Sequence, residues 1–128
     1  MKNFRWIIFS VLIGLAVCCF SYAPKPSIED LNNIDMGPAP TEELAKKIAL
    51  AYFNEILYDP FSAHYEFGTI KKDYYYNKPA GSFRFDLVYA WSFKIRVNAK
   101  NKMGGYVGWK SYKIFIRDDK IITVLESN

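Results

Sequence analysis

The chain has 128 residues, 51% hydrophobic and 18% aromatic, with 17 basic against 13 acidic side chains. That length suits one domain rather than two, and that composition excludes a disordered chain. Setting aside Lys2 and Arg5 at the extreme N-terminus leaves 15 basic residues against 13 acidic, a net of +2, which excludes a strongly basic nucleic-acid binder and suits weak attraction to an anionic membrane surface.

Residues 1–23 have the layout of an export signal. Lys2 and Arg5 form a basic start, an uncharged apolar run follows from Trp6 to Val17, and small and polar residues close the segment. Three fates are open. Ser21-Tyr22-Ala23 places small residues where signal peptidase needs them, although Pro24 would follow the cut. Leu15-Ala16-Val17-Cys18 resembles a lipoprotein signal in which Cys18, or Cys19 beside it, carries the lipid. An uncleaved anchor, with basic residues ahead of the span, is the third. All three place the body outside the cytoplasm, on the periplasmic or extracellular side. No cysteine lies beyond Cys19, so the body has no disulfide framework, thiolate metal site or cysteine nucleophile.

Pro24, Pro26, Gly37, Pro38 and Pro40 punctuate residues 24–40. Proline resists helix interiors, and the stretch reads as an extended tether reaching up to ~50 Å, with room for a brief turn over 27–31. The domain proper spans 41–128. Thr41 can cap a helix that carries Glu42 and Glu43 in its first turn, where acids favour the dipole. Leu44, Ile48, Tyr52 and Ile56 recur every four residues beside the row Ala45, Ala49, Phe53 and Leu57, a broad apolar face. Asp59 before Pro60 ends the helix near Tyr58.

The period then changes to two. A strand is expected over 65–75, closed by a turn over 77–81. Phe83, Phe85, Leu87, Tyr89, Trp91, Phe93, Ile95 and Val97 alternate with mostly polar residues, which predicts a long antiparallel strand with one buried face and a bend near Ala90. A loop over 100–105 leads to a strand over 106–117, and Asp118-Asp119 turns the chain into a last strand over 120–126. The fold class expected is α+β, with one N-terminal helix packed on a four-stranded antiparallel meander.

Two segments carry a resemblance. Asp59-Pro60-Phe61-Ser62-Ala63 follows the helix and leads into a strand, and 97–109 reads Val-Asn-Ala-Lys-Asn, two residues, then Gly-Gly-Tyr-Val-Gly-Trp. Together they resemble a pattern in small bacterial envelope proteins, often lipoproteins and mostly uncharacterised. That pattern carries a Cys-Gly pair just before the second segment, where Lys94 and Ile95 stand here. The resemblance implies this order of elements and an envelope location, and no activity.

Residues able to carry chemistry are few. His64, the single histidine, could act as a general base beside Asp59 or Glu66, or simply belong to its strand; alone it cannot build a transition-metal site. Gly104 and Gly105 could cradle an anion or supply a turn that needs positive φ. Asn98, Lys100, Asn101, Gly104, Gly105, Tyr106 and Trp109 form the candidate recognition surface, since loops on rigid scaffolds carry binding and aromatic residues anchor it; the rings could equally be core. Arg84, Lys94 and Arg96 fall on the polar face of the long strand, solvated or meeting lipid headgroups or an acidic partner. Tyr74-Tyr75-Tyr76 could stack on carbohydrate or serve packing. The expectation is a non-enzymatic envelope protein, tethered by an N-terminal lipid or anchor, that binds another envelope protein as an assembly accessory, with no cofactor, metal or nucleic acid. The alternative is a binder of small molecules or lipid in a cleft between helix and sheet.

Overall fold

The computed structural model describes residues 24–127. Residues 1–23, expected to form an export signal, and with them Cys18 and Cys19, lie outside the described residues. The elements are α1 Ile28–Asn33, α2 Glu42–Ile56, β1 Asp59–Phe67, β2 Lys71–Asn77, β3 Asp86–Lys100, β4 Lys110–Arg117 and β5 Lys120–Ser127.

The α2 helix begins as its sequence dictates. Thr41 is extended and its side chain accepts the Leu44 amide at 3.2 Å, satisfying one donor that the first turn leaves open. The helix stops before Leu57, whose own amide still bonds Phe53 O while its backbone turns extended. Ala45, Ala49 and Phe53 form its buried stripe. Two alanines bring the helix close to the sheet, and Phe53, fully buried, fills the next turn; burying such a ring contributes ~2–3 kcal/mol.

The sheet is antiparallel throughout, and β3 is its spine. β1 and β2 share one edge of β3, β4 takes the other, and β5 pairs outside β4. The expected single strand over 65–75 is therefore two strands in one row. Phe67 pairs with Ile95 and Lys71 with Ser92, so three residues, 68–70, oppose two, 93–94, and the row carries a bulge. Gly68 allows it: its amide donates to Lys94 O at 2.8 Å, and a Cβ there would stand 3.1 Å from the same oxygen. Among the described residues, five strands in four rows and two helices replace the expected four strands and one helix; the α+β class and the meander order are as expected.

Other boundaries differ too, and β1 already starts at Asp59 rather than at 65. The spine strand starts at Asp86 rather than Phe83: β2 ends at Asn77, opposite Asp86, and in the connection before it Ser82 Oγ accepts the Arg84 amide. Arg84 is thus a loop residue and not part of the strand face. The β4 strand starts at Lys110 and not at 106, since Tyr106 makes only an isolated bridge to Lys100 and Gly108 adopts φ 91°. The stretch expected to be an extended tether is partly docked. Ser27 and Asp30 form a reciprocal cap that opens α1, Lys72 Nζ donates to the carbonyls of Asn32 and Ile34, Trp91 Nε1 donates to Gly37 O, and Met36 is buried.

The core lies between α2 and one face of the sheet. Phe93, Ile95, Val97, Ile114 and Ile116 meet Ala45, Ala49 and Phe53 there. Among the described residues no helix covers the opposite face, yet it is not uniformly solvated. Ala90, Ser92 and Phe115 are fully buried on it. The Tyr75 ring lies 4.9 Å from that of Phe115, and Asp73 accepts the Ser92 hydroxyl at 2.8 Å and the Lys113 ammonium at 2.6 Å. Beyond this cluster, Lys94 and Arg96 point into solvent.

Candidate functional site at the hairpin end

The two segments that carry the resemblance meet in space, at the end of the sheet where α2 exits and β3 turns toward β4. The Asp59 carboxylate accepts the Ser62 amide at 3.2 Å, a local turn that bends the chain out of the helix. The Ser62 hydroxyl donates to Asp59 O at 2.8 Å and accepts the Lys100 amide at 2.9 Å. Tyr106 closes the arrangement: its hydroxyl donates to Ser62 O at 3.1 Å and stands 3.1 Å from His64 Nε2. The junction after α2 and the β3–β4 hairpin are thus one hydrogen-bonded unit.

The hairpin is tied by its own hydrogen bonds. Asn101 folds back, its side-chain oxygen accepting the amides of Met103 and Gly105 at 2.9 and 3.2 Å, while its backbone exchanges bonds with Gly104 and Gly105. Gly104 takes φ 78°, the conformation glycine adopts without penalty; Gly105 does not. The expected turn role therefore falls on one of the two glycines. No cradle of amides forms, because Asn101 already engages the Gly104 and Gly105 amides.

What this unit presents to solvent is apolar. Among the described residues, eleven large hydrophobic side chains are exposed, and seven of them stand on residues 56–61 and 103–109. Phe61 is 100% exposed and Met103 92%, values that no packing role explains. Tyr58, Tyr106 and Val107 are half exposed around them. Lys100 lies over the Tyr106 ring at 5.5 Å and Lys102 over Tyr58 at 6.0 Å, and neither ammonium has an acidic partner among the described residues. A cleft of about 230 Å³ opens beside the patch, walled by Ile56 and Leu57 from the helix exit, Val97 and Ala99 from β3, Val107 from the hairpin and Tyr112 from β4.

Of the residues expected to form a recognition surface, Lys100, Asn101, Gly104, Gly105, Tyr106 and Trp109 all belong to this end. Trp109 turns toward the helix-free face, its ring 5.0 Å from the Arg96 guanidinium. Asn98 is half-buried, and its side-chain oxygen has no hydrogen-bond partner among the described residues. Of the most exposed members, Met103 lies inside the loop expected over 100–105, whereas Phe61 lies outside the expected surface. Phe61 carried a usable signal, an aromatic residue inside a turn where the chain has just left a helix. Tyr74, Tyr75 and Tyr76 are all half-buried, and ring contacts hold all three, Tyr74 against Tyr76 at 5.7 Å and Tyr75 against Phe115.

His64 has Tyr106 as its partner. Asp59 is engaged by Ser62, and Glu66 by Arg96 at 2.6 Å, so neither acid orients the imidazole as a general base requires. Among the described residues no three His, Cys, Asp or Glu side chains gather as metal ligands, and no helix is long and apolar enough to cross a membrane. No protein-family model, curated protein or solved structure matches the chain.

Proposed function

We propose that the protein is a non-enzymatic envelope module, exported and held at a membrane through residues 1–23, which docks another envelope protein through its hairpin end. The observation that carries this reading is the concentration of exposed apolar side chains there, Phe61 and Met103 above all, on a hydrogen-bonded scaffold. Exposed apolar patches on small domains mark interaction sites, and rigid presentation lowers the entropy lost on docking. Lys100 and Lys102 give the patch a basic rim, which selects an acidic border on the partner. The alternative of a small-molecule or lipid binder in a cleft between helix and sheet has less support: the cleft at the helix exit, about 230 Å³, is smaller than most ligand sites. The tether is short. α1 begins at Ile28, so a lipid on Cys18 or Cys19 is joined to the folded domain by about ten residues, at most ~35 Å.

Cross-linking in intact cells, followed by capture from solubilised envelope and peptide mass spectrometry, tests the reading. The parent chain is expected to give one dominant partner linked through Lys100 or Lys102. Phe61→Ser with Met103→Ser should reduce that link about tenfold or more, with the thermal midpoint unchanged because both side chains lie outside the core. Equal yields from parent and variant would overturn it.

A further inference from the structure

A cavity opens on the face of the sheet opposite α2. It is a trough of about 470 Å³ lined by Glu66, Phe67, Gly68, Lys94, Arg96, Ser111 and Ser127. The register builds it. Glu66, Arg96, Ser111 and Ser127 are successive cross-strand partners, one each from β1, β3, β4 and β5, so their side chains stand in one row, ~4.8 Å apart from strand to strand. The next row holds Lys94 beside Gly68, where the bulge leaves no side chain to fill the space.

The charges in the trough are unequally engaged. Lys113, the cross-strand partner of Lys94, is held by Asp73. Arg96 gives Nη1 to Glu66 and rests on the Trp109 ring, which leaves further guanidinium donors free. The Lys94 ammonium has no partner among the described residues, and neither does the Ser111 hydroxyl. The Ser127 hydroxyl makes only a long 3.4 Å bond to Ser111 O. One free ammonium, a half-used guanidinium and two hydroxyls converge from three strands, and with Glu66 counted the lining keeps a net positive charge.

We propose that this trough is a binding site for a phosphate-type oxyanion. Donors arriving from several directions suit a tetrahedral anion with acceptors on every side better than a planar carboxylate. The volume exceeds that of the ion alone, so the organic part of a phosphate ester is accommodated beside it. The site is separate from the apolar hairpin patch and does not depend on its role. Two sources share this chemistry, a free phosphate compound and the phosphodiester headgroup of a lipid.

The test uses the full chain in neutral detergent micelles, titrated with inorganic phosphate and, separately, with glycerophosphoglycerol, a lipid headgroup without its acyl chains. Amide shifts of Gly68, Lys94, Ser111 and Ser127 and the fluorescence of Trp109 report binding. Saturable shifts confined to these residues are expected, with Lys94→Ala weakening binding about tenfold and Lys47→Ala, on the outer face of α2, leaving it unchanged. Binding of phosphate but not of the diester identifies a soluble ligand. Binding of the diester, displaced by phosphate, identifies a headgroup. Absence of saturable shifts with both anions, or equal weakening by the two lysine variants, overturns the proposal.

Discussion

Tyr65 turns its ring into the core, against Phe53 at 5.9 Å and Phe67 at 6.1 Å, but its hydroxyl is buried with no hydrogen-bond partner among the described residues. The same burial raises the phenol pKa, since the phenolate would be further from water. An unpaired buried hydroxyl opposes folding, whereas the ring that carries it favours folding. Tyr65→Phe keeps the ring and removes the liability, and it is expected to raise stability by about 1 kcal/mol, read as a higher urea midpoint at unchanged slope. A lower midpoint would mean that the hydroxyl is bonded in solution. Residue type alone does not say which side of this balance wins. Phe53 and Phe61 make the same point: one is fully buried and the other fully exposed, and they lie eight positions apart in one aromatic-rich stretch. The four-residue spacing fixes the first as core, while Phe61 follows the helix exit at Pro60, where no period applies.

At the scale of elements, legibility follows the length of the pattern. Fifteen residues of α2 and fifteen of β3 repeat their period several times, so both are readable from the sequence, and the cap at Thr41 and the stop before Pro60 frame the helix. The six-residue α1 is too short to show a period; only Ser27 and Asp30, three apart, announce it. The break between β1 and β2 rests on Gly68 and on the carbonyl opposite it, a partner 26 positions away that no local pattern names. The union of the helix exit with the hairpin is equally invisible, because Ser62 reaches Lys100 across 38 positions. The two segments are legible one at a time, and their contact is not. Ser62→Ala removes both the acceptor for the Lys100 amide and the donor to Asp59 O, leaving two half-buried groups short of partners. A loss of ~1–2 kcal/mol is expected, together with faster hydrogen exchange at the Lys100 amide and at that of Asn101 beside it. Exchange unchanged at both amides would show that the hairpin holds its shape without the junction.

Across the whole molecule, the two faces of the sheet are secured by different physics. The α2 face is held by apolar burial. The opposite face, which no helix covers among the described residues, is held where β2, β3 and β4 meet by Asp73, which accepts from Lys113, Ser92 and the Tyr74 amide. Burial pushes the Asp73 carboxyl up, but the Lys113 ammonium, the Tyr74 amide and the Ser92 hydroxyl together pull it lower still, below its ordinary value. The consequence for stability has a definite sign. A carboxyl whose pKa is lower in the folded than in the unfolded state adds stability at every pH above the unfolded value, about 3.9, and that contribution fades as pH falls through the folded value. Acid should therefore weaken the β2–β4 attachment in the window below about pH 4, while apolar contacts on the α2 face are indifferent to it. Asp73→Asn is expected to lower stability at pH 7 by about 2 kcal/mol, since Lys113 is left without its counter-charge and the Ser92 hydroxyl keeps only a neutral acceptor. The same variant should lose less than the parent between pH 5 and pH 2, so that the two unfolding free energies converge in acid. Urea titrations of both proteins across that range measure this directly. Parallel pH profiles would show that the acid limb belongs to other carboxylates, and that the helix-free face is held by Tyr75 and Phe115 rather than by the ion pair.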